Sequence, residues 1–160
     1  MSLLANTIKA IQPVAADTTH EIKQHLNSVM EGDNNTLGEL ERLLLRTIAI
    51  TGERHPQLKK CTIICCGDHG VAAEGVSAYP PETTLQMVKN YLISRGAAAN
   101  ALANYCDSAL MVVDMGINAD TSDIPNLINA RIASGTQNIA QGPAMTHKQA
   151  IQAIETGISL

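Results

Sequence analysis

Residues 67 to 81 read GDHGVAAEGVSAYPP and follow directly on the apolar run CTIICC (61–66). An Asp-His pair, three glycines and a Tyr-Pro-Pro stop therefore crowd a junction where a buried strand should give way to a helix. Asp68 and His69 could act as a general acid–base pair or as metal ligands. No second His or carboxylate stands at ligand spacing, so no metal site is expected. An Asp at a strand end also commonly accepts backbone N–H bonds from the loop that follows, and His69 could be satisfied by a neighbouring carbonyl. Structural or supporting roles for Asp68 and His69 stay open beside the chemical ones.

The same loop invites comparison with a phosphate cradle. GVAAEGVS (70–77) fits G-x-x-x-x-G-K-[ST] at all fixed positions but one, where Val76 replaces the lysine that meets the phosphates. Glu74 would repel a phosphate, and Tyr79-Pro80-Pro81 falls where the helix of that motif should already run. A nucleotide triphosphatase is thereby disfavoured. The glycines at 67, 70 and 75 also miss the G-x-G-x-x-G spacing of a dinucleotide site. What remains is the turn from Ser77 to Pro81. Two prolines fix its backbone, and Tyr79, Gln86 and Met87 could then present a flat apolar ligand with an apolar wall and a few polar edges. The plainer alternative is that Tyr79 covers the sheet edge.

Such a loop needs a scaffold. Residues 1–57 carry helical signals alone. Thr18 or Thr19 can cap a helix through EIKQHLNSVM, which Gly32-Asp33-Asn34-Asn35 stops. Thr36 with Glu39 forms a capping box for a second helix. Leu37, Leu40, Leu44 and Ile48 give that helix an apolar stripe, and Gly52 ends it. From residue 61 the period changes. CTIICC reads as a strand buried on both faces, ETTLQMVKNYLIS and GAAANALANYC as helices, and ALMVVDMGI (109–117) as the next strand. ARIAS (130–134) is a third, weaker strand. THKQAIQAIETGI closes on a helix capped by Thr146, with apolar positions Ala150, Ile151, Ile154 and Ile158. Strand–helix alternation predicts an α/β fold with a parallel sheet and an N-terminal helical segment. Domains at 1–57 and 58–160 follow. Ligands in such folds sit beyond the carboxyl ends of the strands. There the chain places GDHGVAAEGVSAYPP, DMGINADTSDIP and GTQNIAQGPAMT.

Composition narrows the classes. Of 160 residues, 45% are hydrophobic and 16% charged, which fits a globular core. The net charge of −4 and the absence of Phe and Trp argue against a nucleic-acid partner. No run approaches the roughly 18 apolar residues of a membrane helix, and no charged n-region with an apolar h-region opens the chain. Cys61, Cys65, Cys66 and Cys106 lack paired zinc spacing and read as buried reduced thiols, hence a cytoplasmic protein.

DHGVAAEGVSAYP followed by T-x-Q-M-V (84–88) resembles the signature of the nicotinate-nucleotide–dimethylbenzimidazole phosphoribosyltransferases. TLGELE (36–41) is similar to the family's S-L-G-R-L-E helix start, VVDMGI (112–117) to its V-x-D-V-G-I strand end, and GTQNIAQGPAM (135–145) to its N-I-A-x-G-P-A-M segment. The resemblance implies a Rossmann-like three-layer fold with a smaller helical part, usually in a homodimer, and no cofactor. It implies transfer of phosphoribose from nicotinate mononucleotide to a benzimidazole-type base, giving α-ribazole phosphate for cobalamin. It places Tyr79, Pro80 and Met87 in the base pocket, with Gln86 as the neighbour that a one-residue slip would substitute. Some members carry Ser at the Tyr79 position, which leaves the preferred base open.

Family members are far longer. Their G-E-x-G-x-x-N-T nucleotide loop and their general-base glutamate match nothing here, and Glu155 stands for neither. The resemblance thus implies the N-terminal half of the enzyme, truncated relative to the family and inactive alone, with no catalytic base in the chain. A truncated sheet would expose an edge or an apolar face, so self-association is expected. The competing reading is a non-catalytic base-binding or subunit protein derived from this family.

Overall fold

A computed structural model describes residues 2–14, 20, 22–24, 28, 38–53 and 55–160. The chain divides into two compact units, one of residues 1–9 with 59–160 and the other of residues 10–58. The caps at Thr18, Thr19 and Thr36, the stop at Gly32–Asn35 and Leu37 lie outside the described residues. So does most of EIKQHLNSVM, of which residues 22–24 and 28 are helical.

Helix α1 (Leu3–Ala10) belongs to the first unit but for its last residue; helix α2 (Glu39–Thr51) lies in the unit of residues 10–58, where Gly52 closes it in the left-handed region at φ 71°. The expected apolar stripe holds at Leu44 and Ile48 and fails at Leu40. Leu40 is exposed, whereas Glu41, Ile48 and Ala49 are buried and Leu44 and Leu45 half-buried. Positions i, i+3, i+4, i+7 and i+8 starting from residue 41 form the inner face.

The larger unit is built on a parallel sheet in the order β1-β2-β3. Strand β1 (Cys61–Gly67) pairs with β2 (Ala109–Gly116), Cys61 opposite Ala109 and Cys66 opposite Asp114. The register slips between Cys66 and Gly67, so that Gly67 meets Gly116. Between the strands come α3 (Glu82–Lys89), which runs on as a π-helical turn (Asn90–Ser94), and α4 (Ala98–Tyr105). Asn100 Nδ2 donates to the Tyr91 carbonyl within the π turn at 2.9 Å. The core is a cluster of Val88, Val112, Ile117 and Ile124, with Cys66, Leu85, Tyr91 and Leu110 packed against it.

Three expectations change here. The third strand, β3, is Ile128–Asn129 and not residues 130–134. Ala130 N and Ile132 N still donate to Asp114 O and Met115 O, but the backbone then bends away. β1 is not buried on both faces, because Cys61, Ile63 and Cys65 are exposed while Thr62, Ile64 and Cys66 are half-buried. In a strand successive side chains alternate faces, and the core cluster covers only the face that carries Cys66 and Leu110. The cysteines are accordingly not buried thiols. Cys61, Cys65 and Cys106 are exposed and Cys66 half-buried, and all four are free.

Helix α5 (His147–Ser159) ends the chain. Thr146 and Gln149 form a reciprocal capping box at its start. It has no buried residue, and Ile154 and Ile158 are exposed. Its Glu155 accepts from the backbone N–H of Leu4 at 3.0 Å, at the open N-terminus of α1. Among the described residues no helix is long and apolar enough to cross a membrane.

Candidate functional site

The three loops at the carboxyl ends of β1, β2 and β3 are fastened to one another by backbone. Gly116 O accepts from Asp68 N at 2.9 Å and from Gly135 N at 3.0 Å. Thr136 N donates to Asp68 O at 3.0 Å, and Gly70 N returns to Thr136 O at 3.1 Å and to its hydroxyl at 3.3 Å. The approach is close enough to demand glycine. A Cβ on Gly70 would stand 2.7 Å from the backbone of Thr136, Gln137 and Asn138, and Gly135 adopts φ +78°.

Side chains add to the fastening. Asp68 Oδ2 accepts from Asn118 N at 2.7 Å, so the first loop is tied to the second as well as the third. Its partner is thus the loop after β2 and not the loop that follows Asp68 itself. Glu74, at the end of a 3-10 turn (Gly70–Glu74), accepts from Asn138 Nδ2 at 2.6 Å and Gln141 Nε2 at 3.1 Å. A residue that argued against phosphate in the sequence therefore has a structural use.

The loop after β2 is organised by Asp114, which is fully buried. Its Oδ1 accepts from Gly116 N at 3.0 Å and Ile117 N at 2.8 Å. Its Oδ2 accepts from Thr121 Oγ1 at 3.2 Å and from Arg131 Nε and Nη2 at 3.1 and 2.8 Å. Arg131 Nη2 also donates to Ala119 O at 2.8 Å. A buried carboxylate needs such company to remain charged. The sequence carried the signal, an Asp inside the apolar run VVDMGI, but gave no reason to assign it this part.

Three hollows open around this junction. A cleft of about 410 Å³ is lined by Val71, Val76, Tyr79, Pro80, Pro81 and Met87, with Asp68 and His69 at its strand end. The Ser77 hydroxyl shapes its lip, donating to Tyr79 O at 2.8 Å and accepting from Tyr79 N at 3.2 Å. Tyr79 itself is 70% exposed. Of the anticipated pocket residues, Tyr79, Pro80 and Met87 come together here. Gln86 lines a neighbouring hollow of about 610 Å³ with Leu85, Asn118 and Ser134. Adjacent helical residues point about 100° apart, so Met87 and Gln86 look into different spaces.

The third and largest hollow, about 930 Å³, lies between Cys65–His69, the loop after β3 and helix α5, which supplies His147, Gln149 and Ala153. Asp68 and His69 line all three spaces. His69 is exposed, and its imidazole has no hydrogen-bond partner among the described residues, so the carbonyl contact considered for it is not made. Cys66 borders the large hollow, and burial, ahead of the charges of Cys65, Asp114 and Asp68, pushes its thiol up to about 11. That thiol is protonated at neutral pH and is a poor nucleophile. Among the described residues no group of three or more His, Cys, Asp or Glu is placed to hold a metal ion.

Comparison with known proteins gives the relatives of the chain. A phosphoribosyltransferase family model matches residues 11–160. The nicotinate-nucleotide–dimethylbenzimidazole phosphoribosyltransferase of Geobacter metallireducens is 44% identical over 161 residues, covering 100% of this chain and 45% of that protein. The protein of the same name from Halalkalibacterium halodurans is 42% identical, with 100% of this chain and 44% of that protein covered. A crystal structure of CobT from Thermus thermophilus superposes with a TM-score of 0.82 at 38% identity, over 89% of this chain and 43% of that one. The chain spans less than half the length of the curated relatives it matches.

Proposed function

The chain belongs to the phosphoribosyltransferase family, and on that ground we propose that it forms the base-binding part of an enzyme moving phosphoribose from nicotinate mononucleotide to a dimethylbenzimidazole-type base, yielding α-ribazole phosphate for cobalamin. The observation that carries this reading is the cleft of Tyr79, Pro80 and Met87 at the carboxyl end of β1. Its walls are apolar and rigid, with two prolines fixing one side, and a flat bicyclic ring suits such a slot. Helix α3, which brings Met87, begins immediately after that turn.

The chain alone does not turn over in this proposal. Glycosyl transfer needs the ribosyl carbon held against a nucleophilic nitrogen and a base to take its proton. The resemblance assigns both tasks to segments that match nothing in these residues. The protein would work in the cytoplasm, where four free cysteines, three of them exposed, stay reduced. It would pair with a second copy, as the apolar side chains left exposed on α2, α4 and β1 suggest.

Titration of dimethylbenzimidazole into the chain tests the reading. Saturable binding that is lost in Tyr79→Ala and Met87→Ala supports it. No binding at millimolar base sinks it.

A further inference from the structure

Helix α4 packs on β2 through Ala99, Asn100 and Ala103, of which Asn100 and Ala103 are buried. Ala98, Ala101, Leu102 and Tyr105 fall on the opposite side at helical spacing. All four are exposed, Leu102 by 64% and Tyr105 by 90%. Ile93, on the π turn just before, is exposed as well. Residues 96–106, GAAANALANYC, hold no charged side chain. The other helices of the larger unit carry at least one each: Lys9 on α1, Glu82 and Lys89 on α3, Lys148 and Glu155 on α5. A surface helix that is apolar outward and uncharged throughout has the makings of an interface.

The charges stand at its two ends. Arg95 precedes the helix and Asp107 follows it, both exposed and both in the left-handed region, at φ 53° and 50°. Neither forms an ion pair among the described residues. These ends say what covers the face between them. A second copy brings the same face and the same charges, related by a two-fold axis. With the axis along the helix, the two helices run parallel and Arg95 meets the partner's Arg95. With the axis across the helix they run antiparallel, and each Arg95 meets the partner's Asp107. Only the second arrangement is attractive at both ends, and no charge between them opposes it.

We propose that two copies of the chain pair through the outer face of α4, antiparallel about a two-fold axis beside Ala101 and Leu102, with an Arg95–Asp107 ion pair at each end. Ala101 is the midpoint of the two charges, and the midpoint of the four outer positions falls between Ala101 and Leu102, so one axis serves both. Each Tyr105 then lies over the partner's Ala98, a small side chain that leaves the ring room. This pairing rests on the reading above that a second copy associates with the chain, and gives that association its surface. A face of this size is at the small end of interfaces, and an affinity of about micromolar strength is expected.

Sedimentation velocity in reducing buffer of low salt, over about 1 μM to 1 mM chain, reads the dimer dissociation constant. It is measured for the unaltered chain, Leu102→Glu, Tyr105→Ser, Arg95→Asp, Asp107→Arg and the double reversal Arg95→Asp with Asp107→Arg. All four positions are exposed, so circular dichroism should match throughout, and Tyr105→Ser stands in if Leu102→Glu loses its fold. Leu102→Glu is expected to raise the constant at least about thirtyfold. Each single reversal should raise it about tenfold, and the double reversal should return it to within about threefold of the unaltered value. A dimer that survives Leu102→Glu pairs through another face, which overturns the α4 interface while association itself stands. A double reversal as weak as the single ones overturns the antiparallel arrangement. A chain that stays monomeric over the whole range overturns both the association and the interface, and leaves the base-pocket titration to be judged by itself.

Discussion

Arg131 reaches Asp114 through two nitrogens, Nε at 3.1 Å and Nη2 at 2.8 Å. Asp114 lies two residues before the end of β2, and Arg131 follows β3, so the pair pins the chain where the third strand is only two residues long. Removing one partner of a buried pair leaves a charge without company.

Asp114→Ala is therefore expected to cost about 3–5 kcal/mol, since five donors lose their acceptor at once. Urea denaturation followed by circular dichroism measures it. A loss below about 1 kcal/mol would mean that the loop holds without the carboxylate.

Gly70→Ala places a methyl group 2.7 Å from the backbone of the loop after β3, where no side chain can swing aside. We expect a loss of about 1–3 kcal/mol from overpacking. Gly142→Ala, with open space around its Cβ, serves as the comparison and should stay within about 0.5 kcal/mol.

Cys66 should be the last of the four cysteines to alkylate. Its thiol is half-buried and raised to about 11, whereas the others are exposed. Timed iodoacetamide labelling near pH 8 with peptide mapping gives the order. The sign for stability follows from the same shift. The folded thiol holds its proton to higher pH than the ordinary value of 9.0, so its contribution is complete below pH 9.0 and is lost as pH climbs toward about 11. Cys66→Ala should flatten that alkaline decline.

Met87 and Gln86 separate two hollows. Met87→Ala is expected to weaken dimethylbenzimidazole by tenfold or more, about 2 kcal/mol of apolar contact, and Gln86→Ala to leave it within about twofold. Equal effects would place the ring across both spaces.

Thr146→Ala removes one half of the capping box of α5, the bond from Gln149 N to the threonine hydroxyl, and leaves the bond from Thr146 N to Gln149 Oε1. The cost should be about 1 kcal/mol in denaturation midpoint analysis. Since α5 buries no residue, little tertiary packing is present to mask it.

Much of this arrangement could be read from the residues. The switch from helical spacing to the runs CTIICC and ALMVVDMG announced parallel strands, and each glycine-bearing junction fell at a carboxyl end. Tyr79, Pro80 and Met87 do line one cleft. The exposure of Cys61, Cys65 and Ile63 was not legible, because a run of apolar residues does not say which face of a strand is covered. Nor was β3, since a strand of two residues leaves no period to detect. The separation of Gln86 from Met87 depends on helix phase, which a motif does not carry. Asp114 was visible as a charge among apolar neighbours, but its five donors come from residues 116, 117, 121 and 131, and only the folded loop assembles them.

The mutual fastening of the three loops bears on how any ligand would be received. Turns joined by Asp68 O to Thr136 N, Gly70 N to Thr136 O and Gly135 N to Gly116 O cannot rearrange separately. The hollows they enclose are in place before anything enters, so an arriving molecule has little loop ordering to offset and meets a preorganised surface. The same stiffness means that a pull on the loop after β3 would be felt at His69, through the bonds that Thr136 makes to the residues on either side of it.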